Sequence, residues 1–151
     1  MPLVNWNESL SVGVKAMDDQ HMILMESLND LNQAMLVGAD KSVTVPLVHR
    51  MAKYIADHFA AEEAMMAAVH YPGLDEHRAI HEELTRQVAQ HVSRFEHGEV
   101  SLNARVLTVF REWLTAHILA DDLKYGPWVN STSAVALAER PGLVCEITPR
   151  M

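Results

Sequence analysis

His77 and His81 stand four residues apart, and so do His58 and Glu62. On an α-helix, residues four apart differ by about 40° around the axis, so each pair points to one side. Two imidazoles, or an imidazole and a carboxylate, aimed the same way can share a metal ion or move a proton. Two further histidines bracket them in the chain. His21 precedes the pairs, and His117 follows them with Asp121 and Asp122 close behind. Any one pair is more often a surface feature than a ligand set. Together they use five of the nine histidines in a chain of 151 residues. The lone cysteine, Cys145, excludes both an internal disulfide framework and a cysteine-type zinc site.

The elements that must position these groups are helices. Apolar residues recur at helical spacing through most of the chain, and alternating β-branched runs are short. Four helices are predicted. The first runs from about Met17 to Val37, with Asp18 at its positive end and Gly38 beyond it. The second runs from about Val45 to Val69, capped by Ser42 or Thr44, with Pro46 in its first turn. The third runs from about Leu74 to His97, after Pro72-Gly73 and before Gly98. The fourth runs from about Leu102 to Lys124, with Ser101 as its N-cap and Gly126-Pro127 as its terminator. Each is roughly 30 Å long, and the short connections make sequential helices antiparallel neighbours. The expected fold is all-α, an up-down-up-down antiparallel four-helix bundle with an N-terminal arm containing Trp6 and a C-terminal tail. The bundle is assigned to residues 1–130 and the tail to 131–151, with one or two helical turns possible over Ala134 to Glu139.

In such a bundle the start of helix one faces the end of helix two, the start of helix three and the end of helix four. His21, His58 with Glu62, His77 with His81, and His117 with Asp122 then fall at one level. Asp121 competes for the last place: an ideal helix puts it about 40° from His117 and Asp122 about 140° away. Burying histidine and ionised carboxylate is costly unless they are paired or metal-bound. Seven nitrogen and oxygen donors are too many for one tetrahedral zinc and suit two metals bridged by carboxylates, iron or manganese above all. The set is richer in neutral histidine than the Glu-x-x-His sites of ferritin-like bundles. Fewer negative ligands stabilise high-valent iron less, which favours holding oxygen over oxidising substrates.

A net charge of -8 argues against nucleic acid as the main partner. No apolar run approaches the roughly 18 residues of a membrane span. Met1 to Leu10 does not read as a secretory signal, so a cytoplasmic protein is expected.

Several segments resemble the hemerythrin family, in particular its bacterial single-domain members. They are Trp6, Asp18-Asp19-Gln20-His21, His58-Phe59-Ala60-Ala61-Glu62-Glu63, Tyr71-Pro72 leading to His77 and His81, and Trp113-Leu114 leading to His117-Ile118 and Asp122. The resemblance implies two iron ions with an oxo or hydroxo bridge. His77, His81 and His117 would hold one iron, and His21 and His58 the other. Glu62 and Asp122 would span the pair, with molecular oxygen bound reversibly at the open position of the two-histidine iron. It also implies an apolar oxygen pocket of Leu24, Phe59, Trp113, Leu114 and Ile118. Helical spacing agrees for Leu24, three after His21, and for Trp113, four before His117. Choosing Asp122 over Asp121 carries a structural consequence: a π-bulge between His117 and Asp122. Tyr125 is read either as a partner to the site or as a rim residue. Oxygen storage, delivery or sensing is expected rather than catalysis, since only apolar candidates surround the open iron. A di-iron oxidase or peroxidase, or an iron-handling protein, is the alternative. The tail leaves room for a protein partner.

Overall fold

The computed structural model describes residues 2–138, with side chains through residue 132. Cys145 and the end of the tail lie outside the described residues. Helix α1 spans Lys15–Leu36, α2 Lys41–Ala68, α3 Leu74–Glu96 and α4 Ala104–His117. A π-helical turn, Ile118–Asp122, follows α4 without a break, and α5 continues from it over Leu123–Ala138. The result is the four-helix bundle expected, its fourth rod made of α4, the π turn and α5. Leu28, Leu31, Met66, Leu107, Ile118 and Tyr125 are buried in the core.

Three helix starts differ from expectation, and side-chain capping explains two of them. Asp40 caps α2, accepting from the Ser42 N–H at 2.9 Å, so the helix begins before Ser42 and Thr44. Pro46 therefore lies past the first turn, where its missing N–H removes a helical hydrogen bond. Asn103, not Ser101, caps α4 by accepting from the Val106 N–H at 3.1 Å. Helix α1 has no side-chain cap. Asp18 instead turns back to the arm, accepting from the Val12 N–H at 2.9 Å and the Ser11 hydroxyl at 2.6 Å. Asn29 pins the arm further out, accepting from the N–H groups of Leu3 and Val4.

Gly126-Pro127 does not terminate the fourth rod. Helix α5 runs through both residues. A Cβ at Gly126 would lie 1.9 Å from the Val12 carbonyl oxygen, so glycine here allows the arm to press against the helix. The Asn130 amide donates to the Gly13 carbonyl at 3.0 Å, and the Trp128 indole N–H donates to the Val69 carbonyl at 2.9 Å. These contacts, with buried Tyr125 and Val129, hold the chain helical past a dipeptide that would end an isolated helix.

Candidate metal centre

Four rods each contribute to one buried cluster. α1 supplies His21, α2 His58 and Glu62, and α3 His77 and His81. The fourth rod supplies His117 and Asp122, and all seven are buried. Their ligand atoms form two overlapping groups: Glu62, His77, His81, His117 and Asp122 in one, and His21, His58, Glu62 and Asp122 in the other. Both carboxylates are common to both groups.

The carboxylate oxygens divide between the groups. Glu62 Oε1 lies 2.7 Å from His77 Nε2 and 3.2 Å from His81 Nε2. Its Oε2 lies 3.2 Å from His58 Nε2 and 3.8 Å from His21 Nε2. Asp122 Oδ1 lies 3.1 Å from both His77 Nε2 and His117 Nε2, and Oδ2 lies 3.1 Å from His21 Nε2. Each carboxylate thus faces three-histidine and two-histidine groups with different oxygens.

The π turn brings Asp122 into the cluster. A widened turn between His117 and Asp122 places residues five apart on one side, where an α-helix would place residues four apart. Asp122 becomes fully buried. Asp121 is displaced to the rim and accepts at Oδ2 from His117 Nδ1, 2.9 Å away.

The donor set fits metal ions on structural grounds. Despite the near approach of three imidazoles, neither oxygen of Asp122 has a partner in hydrogen-bond geometry among the described residues. Fully buried orphan carboxylate oxygens are rare and costly, and a cation satisfies them. Pairs of Nε2 atoms also face one another at 3.1 Å, His21 with His58 and His81 with His117. Where the outer Nδ1 carries the proton, as it does when it donates to an oxygen, Nε2 presents a lone pair inward.

The electrostatics agree. Burial opposes the charged forms of Glu62 and Asp122, yet the surrounding imidazoles outweigh it and hold both carboxyls well below the usual range. Burial likewise lowers His21 and His77, but Asp122 and Glu62 reverse this and raise each to about 9. The carboxylates draw positive charge into the cluster, as protons or as metal ions. Tyr125 is fully buried, and its hydroxyl donates to Glu62 Oε2 at 2.8 Å. Burial and then the charges of Glu62 and Asp122 push its phenol upward, so it stays a donor.

Residues 12–129 match the family described as the Hemerythrin HHE cation binding domain. The chain belongs to the hemerythrin family. It is 30% identical over 131 residues to a bacteriohemerythrin of Stenotrophomonas maltophilia (strain R551-3), covering 87% of this chain and 84% of that protein. It is 28% identical over 120 residues to the myohemerythrin of Theromyzon tessulatum, covering 80% and 88%. The crystal structure of a wild-type hemerythrin superposes with a TM-score of 0.80 at 28% identity, over 84% of this chain and 98% of that one.

Beside the hemerythrin cluster lies an apolar cavity of about 50 Å³. His21, His58, His117 and Asp122 close one end, and Leu24, Phe59, Trp113 and Leu114 are among the residues that line it. Phe59 stacks flat on His81, with ring centroids 3.8 Å apart. Ile118 is a correction. It is fully buried in the main core and does not line the cavity. One residue past His117, it is turned about 100° from the ligand face.

Six lining residues were missed: Leu28, Met51, Ile55, Leu84, Val88 and Phe110. The signal for them was present in the spacing. Leu28 is seven after His21; Ile55 and Met51 are three and seven before His58. Leu84 and Val88 are three and seven after His81, and Phe110 is seven before His117. Each lies one or two turns from an inward histidine, on its face. Of the histidines outside the cluster, His49 is exposed and pairs with Glu96, while His91 packs against Phe110 and Trp113.

Proposed function

We propose that this chain binds molecular oxygen reversibly at a pair of non-haem iron ions, for storage, delivery or sensing. One observation carries the reading: Glu62 and Asp122 each direct one oxygen toward His77, His81 or His117 and the other toward His21 or His58. That arrangement suits two metals spanned by two carboxylates, and the imidazole-rich set suits iron. His77, His81 and His117 would hold one iron, His21 and His58 the other, with an oxo or hydroxo group completing the bridge. When bound, the pair supplies two electrons to oxygen and recovers them on release.

The chain's own residues would govern what reaches the pair. The cavity abuts the two-histidine side through His21 and His58. Leu24, Phe59, Trp113 and Leu114 keep it apolar, which admits a small neutral molecule and disfavours water and ions. Apart from the candidate ligands, the lining presents no acidic or basic side chain to transfer a proton to a substrate, which supports carriage over catalysis. Among the described residues no helix is long and apolar enough to cross a membrane. A cytoplasmic setting is part of the proposal, as is room for a protein partner at the tail.

The test is an absorption spectrum of the iron-loaded, fully reduced protein before oxygen, with oxygen, and after its removal. A band that appears with oxygen and vanishes without it, at two irons per chain, is expected. One tightly held zinc in protein produced with ample iron, or a band that never reverses, would overturn the reading.

A further inference from the structure

The outer nitrogens of the clustered histidines are not held alike. His81 Nδ1 lies 2.8 Å from Glu63 Oε1, and His117 Nδ1 lies 2.9 Å from Asp121 Oδ2. His58 Nδ1 lies 2.7 Å from Gln20 Oε1, and His21 Nδ1 has no partner among the described residues. Two carboxylates therefore back the group of His77, His81 and His117. Only a neutral amide backs the group of His21 and His58. Arg78, 3.6 Å from the other oxygen of Glu63, helps to hold that carboxylate in place.

An imidazole that donates its outer N–H becomes a stronger ligand at its inner nitrogen, more so toward an anion than toward an amide. A stronger donor favours the more highly charged metal ion. We infer that Gln20, Glu63 and Asp121 are positioning residues that grade the two halves of the centre. The three-histidine position then favours the ferric state, and the two-histidine position holds a more readily reduced and more readily lost iron. This rests on the paired-iron reading above. It adds that unequal iron counts of imidazole are reinforced by unequal charge behind them.

The grading follows from charge, so its test reverses charge. Glu63→Gln, Asp121→Asn and Gln20→Glu are near-isosteric changes at positions that are not fully buried. The iron-loaded protein is titrated potentiometrically, and iron loss to a chelator is followed in time. Wild type is expected to lose iron in two phases. Glu63→Gln and Asp121→Asn should raise the reduction potential and speed the slow phase by about tenfold. Gln20→Glu should lower the potential and slow the fast phase, and Glu63→Asp should restore most of the wild-type behaviour. A purely structural role would not reverse the sign of the potential with the sign of the added charge. Two irons retained with potentials unmoved, or moved in one direction by both Glu63→Gln and Gln20→Glu, would overturn the grading alone. A wild-type protein holding fewer than two irons would overturn the underlying reading and the grading with it.

Discussion

Asp122 offers one oxygen toward His77 and His117 and the other toward His21, while its neighbour Asp121 reaches back to the outer nitrogen of His117. The two aspartates differ by one position and should respond differently to truncation. Asp122→Ala is expected to abolish the spectrum of a paired iron centre. Asp121→Ala should still bind two irons when iron is in excess. Iron counts and absorption spectra of both variants check this, and two spectroscopically normal irons in Asp122→Ala would contradict the assignment. Leu24 and Trp113 belong to the same scale. Leu24 is buried at the cavity wall, so Leu24→Ala should cost about 3 kcal/mol of stability and admit water. Trp113→Ala removes a larger side chain from the same lining. Both variants should oxidise irreversibly faster than wild type in air, and unchanged oxidation rates in both would remove the cavity from the oxygen site.

The fourth rod shows what an element adds beyond its residues. Its π turn shifts the helical phase between His117 and Asp122, and the helix beyond it carries Tyr125 to Glu62 and Gly126 to the arm. Gly126→Ala places a methyl group 1.9 Å from the Val12 carbonyl oxygen, against backbone that cannot rotate away. A loss of about 1–3 kcal/mol in urea unfolding is expected. A change within about 0.5 kcal/mol, the range of ordinary surface substitutions, would show that the arm is not pressed against this helix.

At the scale of the molecule, metal and bundle stabilise each other, because the donors lie on all four rods. Removing iron should lower stability by about 4 kcal/mol for each iron that had been supplied at a thousand times its dissociation constant. The metal-free chain should also show a pH dependence. His21 and His77 bind protons more tightly in the fold, up to about 9, than at their ordinary value near 6.5. Their contribution is therefore full below about pH 6.5 and lost as pH rises through 9. Unfolding midpoints of chelated protein at pH 6.5 and 9.5 check the sign, and greater stability at pH 9.5 would contradict it. The tail makes a separable case. Cutting after Asn130 keeps every clustered residue and the contacts of Trp128 and Asn130, so the truncated protein should still take up two irons. Loss of iron binding in a truncated protein that remains folded would show that the tail supports the centre.

By itself the sequence determined the helices, the level at which their histidines meet, and most of the donor set. Phase around a regular helix is a local property: residues four apart share a face whatever surrounds them. His58 with Glu62 and His77 with His81 were legible for that reason, and the rest of the cavity lining was present in the same spacing. The choice between Asp121 and Asp122 was not legible from regular geometry, which pointed to Asp121. Only the hemerythrin resemblance, and then the π turn, favoured Asp122. Tertiary structure alone decided that Gly126-Pro127 is crossed, because the contacts of Tyr125, Trp128, Val129 and Asn130 outweigh the local preference of two helix breakers. It also decided which oxygens back His58, His81 and His117. The pairings of His58 with Gln20 and of His81 with Glu63 join different helices, so their distances depend on how whole rods pack, whereas Asp121 reaches His117 across the widened turn within one rod.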